Sequence, residues 1–292
     1  MRPLVSPTLH AGLLGLLLGT RIFSAEIDLT ALPSEVHIYQ TVAGRELKLW
    51  VAKPADWQIT DHRPAIVFFH GGGWTAGDAS QFAPHSRHLA ELGMVAITVQ
   101  YRFWDKSQRD LPEICVQDAR SAFRWITTRA AELGIDPTRL AASGGSAGGH
   151  LAACIPLENN FNDPAGTKLP PVLPAALILF NPVVDFTILP GANEKNRHAR
   201  ERLSPLFHLT AAHPPTLIMV GANDTTTPPA QDHAYVAQLT KLGVRAEVKL
   251  YPGQVHGFFN YKATGNPWYD ATLADLDQFL ATLGWIKLPP PS

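Results

Sequence analysis

The feature that most constrains this 292-residue chain is a regular alternation of short apolar runs with longer amphipathic stretches. Residues 65–69, 94–99, 140–143, 175–180 and 216–220 are runs of strand length with almost no charge. Such runs lack the in-out alternation of a half-exposed strand, so both of their faces must be covered. Between them, residues 82–92, 112–133, 147–156, 229–242 and 268–283 read as helices, four of them closed by Gly93, Gly134, Gly243 and Gly284. Residues 246–251 read as a further strand. Strands alternating with helices predict an α/β architecture, a mostly parallel sheet with helices on both faces. Ahead of this series, residues 35–41 and 46–52 flank Ala43-Gly44, and Leu47, Leu49 and Val51 alternate with polar neighbours. That pattern predicts an antiparallel hairpin at one sheet edge.

Composition removes several function classes. Twenty-four basic and 25 acidic residues leave a net charge of −1, so no basic surface for nucleic acid is expected. The N-terminus carries Arg2, an uncharged leucine-rich stretch at 11–19 and the small pair Ser24-Ala25. This is the layout of an export signal, which makes residues 1–25 a signal peptide and 26–292 a single mature domain, secreted or periplasmic. The apolar stretch is too short for the ~20 residues that span a bilayer, so no stable membrane insertion is expected. Cys115 and Cys154 both fall in expected helices and read as small buried apolar residues rather than a bridge.

Chemistry concentrates in the turns after the strands. Gly144-Gly145-Ser146-Ala147-Gly148-Gly149 sits between an expected strand and an expected helix. A sharp strand-to-helix turn projects a serine outward, and glycines on either side let the chain fold back around it. The following helix start aims its N–H groups at any developing oxyanion. His70-Gly71-Gly72-Gly73-Trp74 directly follows the 65–69 strand, where backbone amides can approach a substrate oxygen. Asp224 and His256 follow the 216–220 and 246–251 strands, and open α/β sheets bind ligands at that end of their strands. Ser146 is thus the candidate nucleophile, His256 its base, and Asp224 the group that orients the imidazole. Asp185 and Asp232 compete with Asp224. The first follows the 175–180 strand; the second falls inside an expected helix and reads as part of a solvated helix face. His70 reads as a brace for the glycine loop and His150 as a packing residue. Trp74 either lines the acyl pocket, as a substrate-binding residue, or packs beneath its loop.

Taken together, H-G-G-G-W, Val99-Gln100-Tyr101-Arg102, G-G-S-A-G-G, G-A-N-D and H-G-F-F resemble the hormone-sensitive-lipase-like esterases of the α/β-hydrolase fold. They are similar also to the bacterial acetyl and feruloyl esterases with H-G-G-G-W. The resemblance spans about residues 35–283. It implies hydrolysis of carboxylic esters without a metal or organic cofactor, with Gly72, Gly73 and Ala147 supplying the oxyanion amides. The chain departs from the lipase-like pattern in two places. Its first hairpin begins within roughly ten residues of the expected cleavage site, leaving no room for an N-terminal helical cap, and residues 181–204 are short and charged. A small or absent lid and an open site follow, suited to small-molecule esters or to acylated carbohydrate with short or small aromatic acyl groups. Two alternatives stay open: an amide or peptide hydrolase of the formamidase or oligopeptidase type, and an inactive binding module. The second would be expected to have lost the serine, the histidine or the glycines, all of which are present.

Overall fold

The computed structural model describes residues 34–107, 111–157 and 173–288. The expected signal segment and the last four residues lie outside these. Eight strands form one sheet in the order β1-β2-β4-β3-β5-β6-β7-β8. The opening hairpin, β1 (Ser34–Val42) and β2 (Arg45–Ala52), is antiparallel, and β2 also runs antiparallel to β4 (Val95–Val99). The remaining neighbours are parallel: β4 with β3 (Arg63–Phe69), then β5 (Ile135–Gly145), β6 (Ala176–Phe180), β7 (Thr216–Gly221) and β8 (Ala246–Tyr251).

The apolar runs are continuous because each central strand feeds two cores. On β3, Ala65, Val67 and Phe69 join one hydrophobic cluster while Ile66 and Phe68 join the other. On β6, Leu177 and Leu179 face one side and Ala176, Ile178 and Phe180 the opposite side. The first cluster is covered by α2 (Glu113–Thr128), α3 (Ala147–Cys154) and α5 (Pro229–Lys241) through residues such as Phe123, Leu151 and Leu239. The second is covered by α1 (Ala83–Glu91) and α6 (Pro267–Thr282) through Leu89, Leu276 and Phe279. Burying a side chain of this size stabilises the fold by about 1.5–3 kcal/mol.

Two elements differ from expectation in length. The helix expected to reach residue 133 stops at Thr128, and the chain continues in tighter turns such as Arg129 N–H to Ile126 O. Thr127 and Thr128 turn their hydroxyls back onto the carbonyls of Phe123 and Trp125, an alternative to the helical ladder that favours termination. β5 starts five residues earlier than expected. Ile135 pairs with Arg63, and then Asp136 gathers the amide and hydroxyl of Thr138 and the guanidinium of Arg139, shifting the register before Leu140. The segment between β6 and β7 holds the seven-residue α4 (Arg197–Leu203) and short 3-10 turns, a small lid as expected. Cys115 and Cys154 are buried free thiols. Among the described residues no helix is long and apolar enough to cross a membrane.

One buried group makes the fold acid-sensitive. His85 on α1 is fully buried among the rings of Phe68, Phe82, Phe180, Phe259 and Tyr269, and its ring nitrogens find no partner among the described residues. Burial, with the nearby His88 adding to it, pushes its pKa down to about 3. An unfolded chain takes a proton here below about pH 6.5, whereas the fold refuses it until far lower pH, so stability falls as the pH drops. The expected cost is about 2 kcal/mol between pH 6.5 and 5. His85→Leu should lose less Tm than the parent between pH 7 and pH 5; an identical acid loss in both proteins would contradict this.

Candidate active site

Ser146 sits between β5 and α3 at φ 55° and ψ −118°, a strained backbone position for a residue with a side chain. The turn is held by close backbone approach. A Cβ on Gly148 would overlap the carbonyl oxygen of Phe69, and one on Gly144 would run into the carbonyl of Gly148. The Ser146 amide donates to Phe180 O at 2.9 Å, tying the turn to the end of β6.

The three loops expected to converge do so. The Ser146 hydroxyl lies 2.8 Å from His256 Nε2, and His256 Nδ1 lies 2.7 Å from Asp224 Oδ2. With Nδ1–H donating to the carboxylate, Nε2 is left free to accept from the serine. Asp224 is buried and accepts further from the amides of Thr226 and Thr227 and from the Thr227 hydroxyl, each at 2.9 Å. Burial opposes its ionisation, but the His256 hydrogen bond and the Thr227 donors outweigh that and hold its pKa below the usual carboxylate value. The competitors go elsewhere. Asp185 accepts from the amide and hydroxyl of Thr187 and caps a 3-10 turn. Asp232 is not on a solvated helix face, contrary to expectation: it is fully buried on α5, with no partner on either carboxylate oxygen among the described residues. Burial, reinforced by the charge of Asp224, pushes its pKa well up and favours the neutral form.

The glycine loop after β3 is oriented by an amide relay. Gly71 N–H donates to Gln81 Oε1 at 2.6 Å, Gln81 Nε2 donates to Asn260 Oδ1 at 2.8 Å, and Asn260 Nδ2 donates to Gly257 O at 2.8 Å. The relay occupies the Gly71 amide, while those of Gly72, Gly73 and Ala147 take no acceptor among the described residues. His70 braces the loop as expected. It stacks on Tyr101 at 4.2 Å, its Nδ1–H donates to Gly71 O, and burial lowers its pKa. Trp74 packs beneath the loop rather than standing open as a substrate wall. It is 7% exposed, its Nε1–H donates to His150 Nδ1 at 3.3 Å, and its ring lies 4.8 Å from that of Phe186. His150 in turn donates Nε2–H to Leu203 O, with burial pushing its pKa down to about 4.

Comparison with known proteins agrees with this geometry. Residues 53–187 match a family model described as BD-FAE, and residues 187–260 match one described as the alpha/beta hydrolase fold. The carboxylesterase NlhH of Mycobacterium tuberculosis is 30% identical over 70% of this chain and 69% of its own length. The chain belongs to the α/β-hydrolase esterase family. The probable carboxylic ester hydrolase LipM of the same organism is also 30% identical, over 82% of this α/β-hydrolase, which spans 58% of LipM's length. Among solved structures, the propionate-bound form of a thermophilic esterase from Thermogutta terrifontis superposes with a TM-score of 0.81. It shares 38% identity, covering 88% of this chain and 97% of the other.

Sequence reasoning missed the residue that fastens the loops of this α/β-hydrolase to one another. Asn181 follows β6 at φ 33° and is fully buried. Its amide donates to Met219 O at 2.7 Å, its Oδ1 accepts from Gly257 N at 3.1 Å, and its carbonyl oxygen lies 3.3 Å from the Thr227 hydroxyl oxygen. One residue thus touches the loops of Asp224 and His256 while its predecessor holds Ser146. The only sequence signal was an Asn-Pro pair closing an apolar strand. Thr227→Val should lower kcat/KM about ten-fold, because a hydrogen bond to a charged group is worth ~1.5–3 kcal/mol. An unchanged kcat/KM would show that the hydroxyl is incidental.

Proposed function

We propose that this α/β-hydrolase cleaves carboxylic esters through an acyl-enzyme on Ser146. The observation that carries the reading is the unbroken hydrogen-bond chain from the Ser146 hydroxyl through His256 to the buried Asp224. In the first step Oγ attacks the ester carbonyl carbon while His256 Nε2 takes its proton. Asp224 holds the imidazole in the required tautomer and stabilises the imidazolium. The oxyanion is received by the amides of Gly72, Gly73 and Ala147; removing one such donor costs ~2.7–4 kcal/mol in a serine hydrolase of another fold. The alcohol leaves with the proton from His256. Water, deprotonated by the same imidazole, then attacks the acyl-enzyme and releases the acid.

Short acyl groups fit best. Propionate- and butyrate-bound forms of the Thermogutta terrifontis esterase support this, as does its phosphorylation by paraoxon for a serine nucleophile. The physiological substrate is taken to be a small ester or an acylated carbohydrate. Ser146→Ala should reduce p-nitrophenyl acetate turnover by a factor on the order of 10⁴ or more, as loss of a nucleophile does in other triad enzymes. Turnover near the parent rate would overturn the assignment. An ester should be cleaved far faster than the anilide of the same acid; the reverse order would make the chain an amidase.

The leucine-rich start is proposed to direct export. Protein recovered from an extracellular or periplasmic fraction should then begin near Glu26 on N-terminal sequencing. Full-length protein retained in the cytoplasm would refute export.

A further inference from the structure

We infer that Gln81 and Asn260 are positioning residues that set the oxyanion amides against Ser146, a step that rests on the esterase reading above. Neither side chain is part of the Ser146–His256–Asp224 chain. Together they close a ring of hydrogen bonds around the base of the Ser146 turn.

The ring runs bond by bond through the three reacting loops. Ser146 N–H donates to Phe180 O at 2.9 Å, and the next residue, Asn181, accepts from Gly257 N–H through Oδ1 at 3.1 Å. Gly257 O accepts from Asn260 Nδ2, Asn260 Oδ1 accepts from Gln81 Nε2, and Gln81 Oε1 accepts from Gly71 N–H. Packing closes the gap back to the nucleophile: a Cβ on Gly71 would lie 3.5 Å from Ser146 Cβ and 3.1 Å from Gly145 O. The Ser146 turn, the loop of His256 and the glycine loop therefore belong to one circuit. Its Gln81–Asn260 link joins two side chains, so it can be cut with the backbone on both sides left in place.

Both side chains stand on fixed backbone. Gln81 lies in the 3-10 turn Ala79–Phe82, which Asp78 caps by accepting from Ser80 N–H at 2.8 Å. The carbonyls of Phe258 and Asn260 each accept from Asn266 Nδ2 at 2.7 Å. The neighbours of the pair stack on one another. Phe82 follows Gln81, Phe259 precedes Asn260, and their rings lie 5.8 Å apart at 17°. Phe259 also fills the space beneath Gly145, where a Cβ would come within 2.5 Å of its ring. Amides held on such a base can fix a neighbouring loop to about 0.5 Å, the tolerance a reacting geometry needs.

What the ring holds is position. The Gly71 amide is occupied by Gln81, and the amides of Gly72 and Gly73, which follow directly, take no acceptor among the described residues. Fixing Gly71 sets where those two donors lie. The oxyanion forms only on the way through the tetrahedral state, so a displaced donor costs rate and leaves substrate affinity alone. A misplacement of about 1 Å costs on the order of a hundred-fold.

The test cuts the link from either side. Gln81→Met and Asn260→Leu keep the size of the side chain and remove the bond. Each should lower kcat for p-nitrophenyl acetate by about ten- to a hundred-fold, with kcat/KM falling equally and KM within about two-fold of the parent. A small boronic acid forms an adduct on Ser146 with a tetrahedral oxygen in place of the oxyanion. Its inhibition constant should rise by the factor that kcat/KM loses. The double variant should lose no more than the worse single, because both cut one link. Rates are compared well below each variant's Tm. Gln81→Asn, still polar but one methylene too short to span both partners, should show the same split and serves if Gln81→Met does not fold. An unchanged kcat, a rise in KM in its place, an unmoved boronate constant, or losses that multiply in the double variant would overturn the positioning role. Each of those outcomes leaves the esterase reading standing; that reading fails instead if Ser146→Ala retains turnover.

Discussion

Everything at the catalytic end of the sheet depends on one close approach of backbone to backbone. The chain after Ser146 presses so tightly against the end of β3 that only hydrogen fits at the α-carbon of Gly148, beside Phe69 O. That contact puts the start of α3 directly over the strand that leads into the glycine loop. It brings the glycine loop up against the Ser146 turn without any side chain having to reach across. The positive φ of Ser146 is maintained by this packing and by the hydrogen bond to Phe180 O, which together outweigh the local strain of about 1–3 kcal/mol.

Charge at the site is arranged by contrast. Asp224 and Asp232 are both buried near one another, yet only Asp224 is given donors, and it alone is favoured as an anion. A second ionised carboxylate beside it would repel the Asp224 charge. Burial without donors favours the protonated form of Asp232, at the expense of unmet hydrogen bonds. The other buried histidines follow the same rule. Burial pushes the pKa of His70, His85, His150 and His213 down, favouring the neutral ring in each.

Much of this was legible in the residues, for identifiable reasons. The doubly buried strands announce themselves as uninterrupted apolar runs, and residues 246–251 were bounded to the residue. Ser146 and the glycine loop are visible because their backbone geometry demands glycine at fixed offsets. Asp224 and His256 follow from their place after strands. What stayed hidden has no local pattern. Gln81 and Asn260 are 179 residues apart and meet only in the fold. Asn181 looks like an ordinary turn residue until its contacts with three loops are seen together. Asp232 misled because α5 mixes polar and apolar residues around its circumference, so its inner face is not marked by composition. Trp74 was ambiguous for a related reason: an indole beside a glycine loop suits either a pocket or a core, and only the buried His150 decides between them.

The Gln81–Asn260 bridge has a consequence for how this molecule fails. Because it joins the glycine loop after β3 to the loop that carries His256, loosening either one strains a hydrogen bond to the other. Heat or denaturant that opens one loop should therefore weaken the other, and sequence drift that widens one loop must be matched by compensation in the other.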